Sequence, residues 1–304
     1  MGSYKSIAII IPYFGKWPEW FELYLETCKF NESINWFFLT DCEIPNATYS
    51  NVSFIEFTFA KYKALVSSKL GINFNPDSPY KLCDIRPALG YIHQDIIEGF
   101  DYYGFGDIDV VYGNIRKFYT DDILTYNCIS SHRNRISGHL CLFKNTLLNK
   151  EVFFKIENWQ SLFLDKNHLG IDESKLTKIY LRHKKYPEWL RKIYGFHDPY
   201  QRSCYFKEQY STILFPHPWV DGTMEHPQLW YWRKGKLTNN KDGNREFMYL
   251  HFMNWKSSLW LRKMWGDKAA WESLDKLNYV PKENVSIGWA IGRDGFHSLD
   301  EADS

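Results

Sequence analysis

The chain has no C-x-x-C pair among its six cysteines, Cys28, Cys42, Cys83, Cys128, Cys141 and Cys204, which excludes a zinc ribbon and a redox dithiol. Net charge is nearly absent: 37 basic against 36 acidic residues leave +1, so no overall electrostatic footprint for nucleic acid exists. No apolar run reaches the length of a membrane span, and Met1 to Lys5 lack the charged start and long apolar core of a signal peptide. The expected compartment is therefore the cytoplasm, or the inner face of its membrane, with thiols reduced. On that expectation the Asn-x-Ser/Thr sites at Asn31, Asn46, Asn51 and Asn284 are chance occurrences. Internal repeats and low-complexity blocks are also missing, which excludes solenoids and arrays.

What is present centres on Gly104-Phe105-Gly106-Asp107-Ile108-Asp109-Val110-Val111-Tyr112-Gly113. In an extended segment residues i and i+2 share a side, so Asp107 and Asp109 are expected to face one hard cation while Ile108 faces the core. A bound Mg²⁺ or Mn²⁺ would cancel the repulsion of two adjacent carboxylates and leave coordination positions for phosphate oxygens. The alternative is a turn whose aspartates cap neighbouring backbone.

The start of the chain sets the architecture. Ser6-Ile7-Ala8-Ile9-Ile10-Ile11 closed by Pro12 and Gly15 is the pattern of a strand buried on both faces. Pro18 to Cys28 reads as a helix with proline in its first turn, and Trp36 to Asp41 as the next buried strand. Such a β-α-β opening predicts a parallel sheet with its crevice at the carboxyl ends of the strands, which places Tyr13, Phe14 and Asp41 at that crevice. The alternative for each is an ordinary loop residue. Further on, Tyr80 to about Ile97 is expected to be helical, with Lys81, Asp84 and Arg86 on one face. Tyr126 to Ser131 and Gly138 to Asn145 are expected strands, and Trp230 to Asn240 a hairpin leading to a strand that carries His251.

This order, a Lys-x-x-Asp-x-Arg face followed by a strand and D-x-D, resembles the nucleotide-sugar glycosyltransferases of the GT-A type, in particular the small bacterial enzymes of polysaccharide and lipopolysaccharide synthesis. The resemblance implies a mixed, mainly parallel α/β sheet flanked by helices, a Mn²⁺ or Mg²⁺ cofactor, and a nucleoside diphosphate sugar, UDP-linked by association, as donor. It implies that Asp107 touches ribose and the metal, that Asp109 is a principal metal ligand, and that Lys81, Asp84 and Arg86 contact the donor. Tyr13, Phe14 and Asp41 would hold base and ribose. Downstream, Tyr249-Leu250-His251-Phe252-Met253-Asn254-Trp255-Lys256 is similar to the His-Phe motif that closes related catalytic domains, making His251 the third metal ligand and Lys256 a diphosphate contact. The spacing is about a residue off the commonest pattern, and the usual following proline is absent. Read alone, a His in an aromatic-rich strand is more often a satisfied core or surface residue; the pairing with D-x-D favours the ligand reading for His251.

The acceptor is expected between these motifs, as a glycan or lipid-linked glycan. Ser137, Gly138 and His139 are expected against donor sugar or acceptor, with a hydrogen-bonded interior imidazole an equal alternative for His139. Asp172 and Glu173 open a helix, where negative charge is stabilised; the alternatives are simple capping or, by resemblance, action at the reacting centre. For an inverting enzyme that means a general base, for a retaining one a group that orients the sugar. The basic, aromatic stretches Lys175 to Lys192 and Leu259 to Trp265 read either as solvated helix faces or as contacts with an anionic membrane surface. The expected layout is a single catalytic domain over residues 1–280, with a nucleotide-sugar half to about 125, an acceptor half from 126, and a polar, loosely held tail over 281–304. Two other classes share parts of this pattern. A sugar nucleotidyltransferase would carry a Gly-rich, basic loop after the first strand, which Pro12-Tyr13-Phe14-Gly15-Lys16-Trp17 lacks; a non-catalytic glycan-binding protein would keep the aromatics without the metal set.

Overall fold

The computed structural model describes residues 4–46 and 49–299. Residues 1–3 of the leader reading and Asp300 to Ser304 of the expected tail therefore lie outside the described residues. Along the chain the strands are β1 (Ile7–Pro12), β2 (Ile34–Thr40), β3 (Val52–Glu56), β4 (Tyr102–Gly106), β5 (Val110–Tyr112), β6 (Cys128–Ser130), β7 (Leu140–Lys144), β8 (Cys204–Phe206), β9 (Leu229–Arg233), β10 (Lys236–Asn239), β11 (Tyr249–His251), β12 (Trp289–Gly292) and β13 (Gly295–Ser298). They divide between two compact units. The first holds residues 1–16, 33–107 and 120–208, the second 17–32, 108–119 and 209–304, so the units interleave along the chain instead of separating near residue 125.

The first unit is mixed α/β, with a seven-stranded sheet in the order β3-β2-β1-β4-β7-β6-β8. β3, β2, β1 and β4 run parallel, β7 is antiparallel to β4 and to β6, and β8 is parallel to β6. The sheet is thus mainly parallel and flanked by helices, as the β-α-β opening predicts. β1 is isoleucine-rich and wholly buried up to Pro12, because branched side chains fill both faces of a central strand. Its core packs Ala8 and Ile10 with Tyr62 and Val66 of the helix Phe59–Leu70 and with Ile171 and Leu176 of the helix Ile171–Tyr180. Gly104 in β4 is needed for close approach, since a Cβ there would run into the Cys141 carbonyl of β7.

Two local expectations change. Residues 79–88 form a 3-10 helix, and only Leu89–Ile92 is α-helical; Pro87 inside the segment has no N–H and disfavours α geometry in the residue before it. Asp107, Ile108 and Asp109 form a bend between β4 and β5 rather than a strand, so period-two alternation does not govern their side chains.

The second unit is built on tryptophan. Its four-stranded antiparallel sheet has the order β10-β9-β12-β13, and β11 pairs with β5. The turn between β9 and β10 uses Lys234 (φ 43°) and Gly235 (φ 78°), the left-handed pair a two-residue hairpin requires. Trp232 stacks on Trp289 at 5.3 Å, and the Trp20, Trp232 and Trp271 indoles donate to the carbonyls of Ile108, Tyr112 and Gly292. The crossover helix Phe21–Lys29 packs here, on β5. Residues 289–298, expected in the polar tail, form β12 and β13 because Trp289, Ile291 and Phe296 are core residues. All six cysteines are free.

Candidate functional site

In the first unit the chemistry gathers around Arg86. Its Nη2 donates to Asp107 Oδ1, and its Nη1 to Asp172 Oδ2 at 2.8 Å. Glu173 Oε1 accepts from the Gly138 amide at 3.2 Å. A Cβ at Gly138 would meet Arg86 Nη1 and Glu173 Oε1 at 3.1 Å and Asp172 Oδ2 at 3.3 Å, so glycine is what admits three charged groups against this backbone. His139 is buried; its carbonyl accepts from the Asp107 amide at 3.3 Å, and a ring nitrogen lies within 4.8 Å of an Asp107 carboxylate oxygen. Burial raises the Asp172 carboxyl to about 7, with Glu173 and Asp107 adding to the rise and Arg86 opposing it. A carboxyl held near neutrality suits proton transfer.

The helix that presents Asp172 and Glu173 is fixed from a distance. Asp84 accepts from the amides of Leu169 at 2.8 Å and Ile171 at 2.9 Å, capping the helix with a carboxylate instead of a local side chain. Lys81 donates to Asp84 at 2.9 Å and to the carbonyls of Leu162 and Asn167 at 2.9 and 2.8 Å. An ammonium has three donors, and all are used. Lys81 and Asp84 are therefore interior positioning residues, which corrects the expectation that they touch a donor; Arg86 alone of the three reaches the acidic cluster. At the ends of β1 and β2, Asp41 Oδ1 accepts from the Gly15 amide at 2.8 Å, and Tyr13 Oη donates to the Lys16 carbonyl at 3.0 Å. Phe14, expected at the crevice, is instead core, its ring 5.3 Å from Phe59 and 5.2 Å from Tyr62. Ser137 is fully buried, its hydroxyl accepting from the Leu140 amide at 3.4 Å.

Sequence reasoning missed one buried group. His132 Nδ1 lies 3.2 Å from Glu208, and Arg135 Nη2 lies 3.2 Å from His132 Nε2. Because arginine only donates, this contact requires a neutral imidazole that carries its proton on Nδ1 and gives it to Glu208. Burial lowers the His132 pKa in the same sense. The seven-residue step from His132 to His139, whose rings meet edge-on at 5.0 Å, was the available signal; Glu208 gave none.

In the second unit β11 pairs with β5, setting His251 opposite Val110. Asp109, the residue before β5, has Oδ2 2.6 Å from Lys256 Nζ and Oδ1 3.7 Å from His251 Nε2. His251 Nδ1 faces the Thr212 hydroxyl at 3.3 Å, which orients the ring. Burial alone would raise the Asp109 carboxyl, but Lys256 and then His251 outweigh it and hold it at about 2. A carboxylate oxygen and an imidazole nitrogen are ligand types for Mn²⁺ or Mg²⁺ sites, and at 3.7 Å the two atoms are close enough to share one ion after a small side-chain adjustment. The residues present thus fit a divalent ion held by Asp109 and His251. Within the second unit these two meet Lys256; within the first, Arg86 meets Asp107 and Asp172 beside Glu173 and Gly138. Among the described residues, no helix is long and apolar enough to cross a membrane.

Residues 9–269 match the model of a protein family whose description is "Family of unknown function (DUF6625)". No curated protein matches the sequence. Among solved structures, the chain is similar to the galactosyltransferase LgtC in complex with donor and acceptor sugar analogues, at 11% identity and a TM-score of 0.39 over 68% of this chain and 75% of that one. It is similar to mouse xyloside xylosyltransferase 1 at 10% identity and 0.36, over 67% and 95%. The glycosyltransferase GlyE of Streptococcus pneumoniae TIGR4 follows at 10% and 0.31, over 68% and 55%.

Proposed function

This chain belongs to the DUF6625 family, and we propose that it is a metal-dependent glycosyltransferase that moves a sugar from a nucleoside diphosphate sugar, UDP-linked, to a glycan acceptor in surface polysaccharide synthesis. The observation that carries the reading is the meeting of Asp109, His251 and Lys256, with Oδ2–Nζ at 2.6 Å and Oδ1–Nε2 at 3.7 Å. Two metal-ligand types and one cation converge there from segments more than 140 residues apart in sequence, which is the charge set a diphosphate leaving group needs. A divalent ion would be held by Asp109 and His251 and would supply countercharge to the departing diphosphate.

The chain's own residues supply the rest. Lys256 gives a further positive charge for the diphosphate. Arg86 holds Asp107 and Asp172 in fixed orientation, and Asp172 or Glu173 serves the reacting centre, as general base on the acceptor hydroxyl in an inverting reaction. Calorimetry of UDP binding tests the reading: Mn²⁺ is expected to raise affinity, and equal affinity in Mn²⁺ and in EDTA overturns it. Single-turnover transfer by Asp172→Asn and Glu173→Gln tests the reacting centre. At least one should lose roughly two to four powers of ten in kcat, whereas unchanged turnover in both moves the assignment elsewhere, first to His139.

A further inference from the structure

The helix Glu188–Gly195 presents an apolar face that the first unit does not cover. Trp189 is 65% exposed, Ile193 61% and Phe196 68%. Phe196 continues the helical backbone at φ −57° and ψ −39°, so the three side chains fall at i, i+4 and i+7, along one stripe. Such spacing ordinarily marks the buried face of a helix. Here it is the outward one.

The flanks of the stripe are cationic. Arg182, Lys184, Lys185 and Lys192 are exposed, and Glu188 is the one acid in the sequence from Lys175 to Gly195, paired with Lys192 at 2.8 Å. The segment is braced from within, His183 stacking on Tyr186 at 5.5 Å and tilted against Tyr194 at 5.2 Å, so its apolar stripe is held outward rather than folded under. The other basic aromatic helix, Ser258–Trp265, has two cations and both are engaged: Lys263 lies over the Trp260 ring at 5.2 Å and Arg262 reaches Glu272 at 3.7 Å.

We infer that residues 182–197 seat the protein on an anionic lipid surface, with Trp189, Ile193 and Phe196 entering the interface and the surrounding lysines and arginines meeting phosphate headgroups. Two facts select a bilayer over a protein partner. Lysine is depleted from protein interfaces, whereas a short helix with a tryptophan-bearing apolar face and a basic rim is the pattern of interfacial helices. Charge complementarity then specifies anionic lipid, because each added cation near such a surface strengthens partition while long lysine stems let the charge reach the headgroups. The same segment, from Arg182 to Tyr186, lines a cavity of about 470 Å³ that Glu173 also lines. Docking would therefore bring that carboxylate close to the headgroup layer. The inference stands on exposed residues alone and does not depend on the glycosyl-transfer reading.

Flotation of the full chain with vesicles tests it. The protein is expected to float with phosphatidylcholine vesicles containing phosphatidylglycerol and to stay behind with phosphatidylcholine alone. The triple variant Trp189→Ser, Ile193→Ser, Phe196→Ser should lose roughly tenfold or more of the partition. Lys184→Gln with Lys185→Gln should weaken it by about fivefold per charge, as should raised salt. A thermal melt accompanies each variant, and if the triple variant unfolds the lysine pair decides. Absence of flotation, equal flotation with both vesicle types, or variants that float like the parent overturn the inference. So does a concentration-dependent dimer that the triple variant abolishes, since the face would then be covered by a second copy.

Discussion

Lys81 and Asp84 form an ion pair at 2.9 Å in which the side chains are 1% and 0% exposed, and together they tie down the start of the helix carrying Asp172 and Glu173. The pair has no solvent to fall back on. Its worth lies in what both groups hold: two amides for Asp84 and two carbonyls for Lys81.

Lys81→Met should therefore cost about 3–5 kcal/mol, the usual scale for stranding a buried charge, read as a lower urea midpoint. Replacing both residues, with Lys81→Met and Asp84→Leu, should not recover the loss. It leaves the Leu169 and Ile171 amides unpaired, so recovery to parental stability in the double variant would contradict the positioning role.

Gly138→Ala should cost about 1–3 kcal/mol, the range for overpacking, because its Cβ would arrive 3.1 Å from both Arg86 Nη1 and Glu173 Oε1. Transfer should fall more than the melting temperature suggests, since Arg86 and Glu173 must both move. A variant with parental kcat would show the cradle to be slack.

Asp172 gives a pH signature. Its folded carboxyl sits near 7 and its ordinary value is 3.8, so between those values the folded state binds more protons than the unfolded state and stability falls as pH rises. The cost is absent below about 4 and complete above about 7. Melting temperatures of the parent and of Asp172→Asn should therefore diverge across that window, the variant gaining relative to the parent; parallel profiles would refute the assignment.

Asp109→Asn should abolish the Mn²⁺-dependent part of UDP affinity, by roughly tenfold or more, while the fold survives because the substitution removes charge and not volume. Calorimetry in Mn²⁺ and in EDTA, beside a melt, reads both halves. Retained Mn²⁺ enhancement would exclude Asp109 as a ligand.

How much of this was legible depended on sequence distance. β1, β2 and the Lys234-Gly235 hairpin announce themselves through isoleucine runs and turn chemistry confined to a few neighbouring residues. The role of Asp84 does not, because the amides it caps are more than eighty residues away and backbone donors leave no mark in a sequence. Phe14 looked like a crevice residue because it follows a strand, but a large ring beside Phe59 and Tyr62 gains more from burial than from exposure. The Asp107–Asp109 bend was hidden by β-forming neighbours on both sides. In the second unit, the aromatic wealth that composition could assign either to a sugar cleft or to a core is substantially core, as Trp219, Trp230, Trp232, Trp255 and Trp289 are all essentially inaccessible.

The interleaved division of the chain also has a meaning during synthesis. By the time residue 208 has left the ribosome every strand of the seven-stranded sheet has been made, but residues 17–32 and 108–119 still lack the partners supplied by 209–298. They must wait, apolar and unfinished, while the rest of the polypeptide is translated. Neither unit can be excised as one contiguous fragment.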